Sequence, residues 1–311
     1  MTAALERPAA TGAGGTSLER RYRRLLLCYP RRYRIEHGGE IIATLLDTAE
    51  PGRALPPLRE ARALVSGGLR ARIVAAASDR PAWLDGLHLG VTALCAVQLA
   101  TLVPYTASVP IWTGLSALAL LLVIRGRVRL ALPVVALVAS KVFAITLGRP
   151  WLDPTLLPVD APPVWHTGAL YGGGGPVAPM AGYGLAVLGL LVLAAHRHRL
   201  GRRSWLWLPV VPLLAGADPA GLDFGRGGDA LDVVRTGLEL GLLLFAARAG
   251  HVARDPRWAV AAAVHLVPVC VVHAENLGVH SEPDIAHLAA LLLATALAAA
   301  APYRARRHPA L

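Results

Sequence analysis

Three ionisable residues share one face of an otherwise apolar stretch. Asp232, Arg235 and Glu239 stand at i, i+3 and i+7, the spacing that stacks side chains along one side of a helix. Lys141, His265 and His273 interrupt other apolar stretches. A charge at the bilayer centre costs about 2.5–3.5 kcal/mol on insertion scales and faces the bundle interior where it occurs. The chemistry open to such a set is proton exchange and anion binding. Glu239 and His265 would act as proton-coupled groups, while Lys141 and Arg235 would meet an anionic solute. The other reading, which we favour, is a self-neutralising charge cluster that fixes helix register, since buried ion pairs persist without net stabilisation. The ligand- or ion-coupling candidates are therefore Lys141, Arg235, Glu239 and His265. No residue qualifies as catalytic, and no metal ligand is assigned.

Weaker signals come from the connections. The segment 148–177 holds Trp151, Asp153, Asp160, Trp165, His166, Tyr171 and four consecutive glycines. Those glycines lack the Lys-Ser/Thr of a phosphate loop. His273, Glu275, His280, Glu282, Asp284 and His287 have side chains that bind divalent metals, but their spacing matches no ligand signature. Enzyme motifs fail in the same way. No His-Glu-x-x-His occurs, and Gly114-Leu115-Ser116-Ala117 echoes a serine nucleophile motif without an evident base. No cofactor is implied.

The elements that must hold these residues follow from composition. Of 311 residues, 55% are hydrophobic and only 16% charged, with mean hydropathy +0.49. A soluble domain carries about a quarter charged residues. A helix crosses a bilayer core with about 20 mostly apolar residues. Eight stretches approach that pattern: 83–103, 109–124, 128–147, 178–195, 204–217, 231–247, 258–274 and 284–301. The fifth is the shortest and holds Pro209 and Pro212.

Net charge is +11, with a single Lys against thirty Arg. That bias reads as G+C-rich coding rather than nucleic-acid binding. Arginines cluster before the first stretch, at 125–129, at 197–203, at 248–257 and at 304–307. These groups fall on alternate connections, the pattern that cytoplasmic loops follow. Eight spans with both termini cytoplasmic satisfy it. Cys28, Cys95 and Cys270 are too far apart for a metal or disulfide framework.

The first 15 residues are rich in Ala, Gly, Thr and Pro and read as a disordered tail. Thr16 and Glu19 then form a capping box. A helix follows to Cys28, with Leu18, Tyr22, Leu25 and Leu26 on one face. Helices over 31–47 and 58–77 complete a basic module at 16–80. Gly38 and Gly39 in the second helix suggest a kink or a close approach. The module would contact anionic headgroups through its arginines, or dock a cytosolic protein.

The run from Arg21 to Arg34 contains Tyr29-Pro30-Arg31-Arg32-Tyr33-Arg34. It continues into Gly38-Gly39-Glu40 and Leu45-Leu46-Asp47. Leu58-Arg59-Glu60-Ala61 and Gly67-Gly68-Leu69-Arg70-Ala71-Arg72 follow. This stretch, about residues 18–73, resembles the N-terminal segment of multi-pass membrane proteins of high-G+C Gram-positive bacteria, a family with no established activity. The resemblance implies a membrane protein with a helical prefix, as precedes some permease subunits and signalling membrane proteins. It carries no role onto particular residues.

The sequence thus predicts an all-α, polytopic membrane bundle of about eight helices over 81–303. A cytosolic helical module precedes it and a basic tail, 304–311, follows. The expected function is a non-enzymatic scaffold or sensor in the cell membrane, coupled through residues 16–80 to a cytosolic partner. A small-solute transporter or permease component is the alternative. The expected surroundings are the lipid bilayer and its anionic headgroups, with no nucleic acid.

Overall fold

The computed structural model describes residues 17–50, 53–77, 81–103, 106, 110–147, 177–196, 200–214, 230–278 and 282–307. Every described element is helical. The Thr16 cap, the N-terminal tail, the connection 148–176, His280 and the last four residues lie outside this set. The chain divides into two units, Met1–Asp79 and Arg80–Leu311.

In the first unit, α1 (Ser17–Leu25) ends in a 3-10 turn (Leu26–Cys28), and α2 (Arg31–Asp47) and α3 (Leu58–Ala77) follow. Leu18, Tyr22 and Leu26 recur every four residues, so they share a face. They are buried together with Leu64 of α3, and Ile41, Ile42, Leu45 and Leu46 of α2 pack against them. Arg72 donates to the carbonyls of Cys28 (2.5 Å) and Leu27 (2.6 Å), satisfying oxygens that the short turn leaves open. The expected close approach at Gly38-Gly39 is absent. α2 runs unbroken, and a Cβ on Gly39 would meet nothing within 4 Å. The close approach falls instead at Gly68, where a Cβ would lie 2.8 Å from Cys28 Cβ and 2.9 Å from Tyr29 Cδ2.

Tyr22 is buried and its hydroxyl donates to Glu60 Oε2 at 2.5 Å. Burial, and then the neighbouring carboxylate, push the phenol up to about 12 from its ordinary 10.0. A raised folded-state value means stability present below pH 10 and lost as pH rises towards 12. Alkaline titration followed by circular dichroism should show this unit loosening across that window. Tyr22→Phe should remove the transition and cost about 1.5–3 kcal/mol at neutral pH, the worth of a hydrogen bond to a charged group.

The second unit holds α4 (Ala82–Leu102), α5 (Pro110–Ile124), α6 (Val128–Thr146), α7 (Val177–Ala195), α8 (Trp207–Leu214), α9 (Ala230–Ala253), α10 (Arg257–Glu275) and α11 (Glu282–Arg307). Four of them, α4, α7, α10 and α11, are long and apolar enough to cross a membrane, and they point to a membrane location. They do not by themselves confirm the eight spans expected from sequence. Among the described residues, α5 has 15 residues and α8 only eight.

α4 is the hub, packing on α5, α7, α8 and α10. Its Leu84, Val91 and Ala96 are buried with Leu120, Ile124, Leu190 and Leu193. Small residues permit this closeness. A Cβ on Gly90 would lie 2.7 Å from Val264 Cβ, and one on Gly189 would lie 2.5 Å from Val91 Cγ2. A second core joins α9, α10 and α11 through Leu243, Ala262, Val269, Leu291, Ala294 and Ala298. α10 belongs to both groups.

Candidate functional site: two polar clusters

The turn after α5 builds the first cluster. Gly126 takes φ +72°, a left-handed conformation that glycine adopts freely. Its N–H donates to Val123 O at 2.9 Å, and Arg127 N–H reaches Leu122 O at 2.8 Å, the two bonds of a Schellman cap. This turn presents two carbonyls to neighbours. Ile124 O accepts Arg203 N–H at 2.7 Å, and Val123 O lies 2.9 Å from His88 Nε2. The backbone of Arg203 is thereby fixed, and its side chain turns towards the start of α4.

There the guanidinium of Arg203 donates to Asp85 Oδ1 (2.8 Å), Asp85 O (2.6 Å) and His88 Nδ1 (3.2 Å). Because Nδ1 accepts, the ring carries its proton on Nε2 and donates it to Val123 O. Arg257 reaches the other carboxylate oxygen, Asp85 Oδ2, at 2.8 Å and also holds Asp255 Oδ1 at 3.0 Å. Asp255 accepts the backbone N–H of Arg257 at 2.9 Å, which orients that carboxylate. The Arg257 side chain is 2% exposed. Two aspartates and two arginines join α4, the end of α5, the segment before α8 and the start of α10.

Sequence reading did not find this cluster. Asp85 and His88 are one turn apart near the start of the first apolar stretch, a placement open to notice. Arg203 and Arg257 served only as markers of membrane side. The bonds to Asp85 span 118 and 172 residues, so no local pattern announces them.

The second cluster contains two of the four candidates. Glu239 of α9 accepts from His265 Nε2 of α10 at 2.7 Å and from His287 Nε2 of α11 at 3.1 Å. The carboxylate therefore ties three helices. His287 was read with the connecting acids and histidines as a weak metal set, although it lies six residues into α11. That set is dispersed among other partners. Glu275 accepts the first two N–H groups of α7, from Val177 (2.7 Å) and Ala178 (2.8 Å), and His273 Nδ1 lies 2.9 Å from Val269 O. Among the described residues, no group of three or more His, Cys, Asp or Glu is arranged to hold a metal ion.

The other two candidates are Lys141 and Arg235. Lys141 is 3% exposed in α6, with Nζ 5.7 Å from the Trp112 ring centroid. α6 packs on α5 and α7, whereas α9 packs on α10 and α11. α6 and α9 thus pack mainly on different neighbours, and Trp112 lies beside Lys141. Arg235 belongs to α9, and its side chain lies outside the description. No family model, curated protein or solved structure matches the chain, so its functional reading rests on this geometry.

Proposed function

We propose that this chain is a non-enzymatic scaffold or sensor of the cell membrane that docks a cytosolic partner through its N-terminal unit. One observation carries the reading: the ionisable side chains of the two bundle clusters are bonded to one another. Glu239 is shared by His265 and His287, and Asp85 by Arg203 and Arg257. A solute path would turn such groups towards water. The N-terminal unit instead keeps surface for another molecule. Ile35 is 74% exposed, with exposed Arg31 and Arg32 three and four residues before it on the same side of α2. A matching partner presents an apolar side chain among carboxylates.

Eight spans with both termini cytoplasmic remain our topology. The alternating arginine groups support it, as does the meeting of Asp85, Ile124, Arg203 and Arg257, all from ends assigned to the cytoplasmic side. The test is gentle purification of the full-length chain, and of a chain lacking residues 1–79, from native membranes. Mass spectrometry should find a partner with the full-length chain alone. Recovery of both forms without a partner would remove the docking reading.

The alternative is a transporter that uses the Glu239 cluster, and it is supported by the 22% exposure of that carboxylate side chain. On that reading Glu239→Gln abolishes solute uptake while membrane insertion persists. Unchanged uptake would exclude it.

A further inference from the structure

α3 has two unlike sides. Glu60, Leu64 and Gly68 face the core of the N-terminal unit, through the Tyr22 bond, the buried cluster and the close contact with Cys28. Leu58, Val65 and Leu69 recur at i, i+7 and i+11, a spacing that places them on one stripe well round the helix from that contact. All three are exposed, Leu58 at 82%. With Ala61 and Arg62 they line a shallow apolar groove. Arg59, Arg62 and Arg70 are exposed along one flank of it. An apolar stripe bordered by arginine is the pattern of a helix lying in a membrane interface.

Chain length says which surface is near. Only residues 78–81 separate α3 from α4, which is long and apolar enough to cross a membrane. Five residue steps of at most about 3.6 Å hold the end of α3 within about 18 Å of the start of that helix. We propose that α3 lies on an anionic phospholipid leaflet, with Leu58, Val65 and Leu69 among the acyl chains and Arg59, Arg62 and Arg70 on the phosphates. The inference rests on α4 crossing the membrane and is independent of any protein partner. It also reserves the Ile35 surface for that partner.

The test places the photo-crosslinker benzoylphenylalanine at Val65 or Leu69 of the full-length chain, with exposed Val74, outside the groove and on a different side of α3, as control. Irradiation is done in native membranes, and in nanodiscs of phosphatidylcholine with and without phosphatidylglycerol. Lipid adducts at Val65 and Leu69 should exceed those at Val74 about fivefold or more and rise with phosphatidylglycerol. The triple change Arg59→Glu, Arg62→Glu, Arg70→Glu should reduce them by a similar factor. Protein adducts at Val65 and Leu69 would overturn the proposal in favour of a protein cover. Equal lipid yields at all three positions, or yields indifferent to anionic lipid, would overturn it as well. Recovery of the chain in the soluble fraction would overturn both this inference and the membrane reading.

Discussion

Asp85→Asn should destabilise the bundle by about 3–5 kcal/mol, the cost of removing one partner from a buried ion-pair set. The amide preserves the shape of the side chain but not its charge. Arg203 and Arg257 both point at that carboxylate, each at 2.8 Å. Without it, both guanidiniums lose the carboxylate that they share. The penalty is therefore the loss of a buried ion pair's attraction as well as of its hydrogen bonds. Unfolding of the purified chain in detergent, by heat or denaturant, measures it. The double change Asp85→Leu with Arg257→Met removes one charge of each sign from the cluster. It should cost less than the sum of its single changes by about 1–3 kcal/mol, the coupling expected of contacting residues. Strict additivity would mean that the cluster contributes nothing as a unit.

The second large effect belongs to Gly86, one residue further along α4. A Cβ there would collide with the carbonyl oxygen of Arg257 and stand 2.8 Å from Val260 Cβ. The first obstacle is backbone and cannot rotate away. Gly86→Ala should cost about 1–3 kcal/mol by overpacking, and Gly86→Val more. The displaced residue is Arg257 itself, so the change should also loosen the charge cluster. Gly241 of α9 provides the contrast, because nothing lies within 4 Å of a Cβ placed on it. Gly241→Ala should stabilise by up to about 1 kcal/mol, the helix-propensity difference. Equal melting shifts at the two positions would refute the close approach of α4 and α10.

The difference between those glycines marks what was legible in the sequence. Apolar stretches revealed helices with boundaries close to those observed, because burial in lipid or core imposes a run of one chemical type. Gly86 and Gly241 look alike in the sequence until their neighbours are known. The same limit explains Gly38-Gly39, which look like a contact, and Gly67-Gly68, which make one. Periodicity found the buried face of α1 at Leu18 and Tyr22, since a helix repeats every 3.6 residues.

Polar pairings were harder. Glu239 and His265 stood out because each interrupts an apolar run, yet their partnership with His287 depends on the arrangement of three helices. Lys141 stood out for the same reason. Its charge placed it in one cluster with Glu239, whereas helix order sets Trp112 beside it. Asp85, Arg203 and Arg257 lie near helix ends, where charge is common and attracts no notice. Their long sequence separations put the pairing beyond any local pattern.

The most direct test of the docking claim is Ile35→Glu in the full-length chain, purified from native membranes beside the unaltered chain. Truncation also removes α3 and its lipid contact, whereas this change alters a side chain that is 74% exposed and outside the core of its unit. A partner copurifying with the unaltered chain should be lost, with expression, membrane recovery and melting unchanged. Retention of that partner at full yield, or a partner that survives removal of residues 1–79, would contradict it.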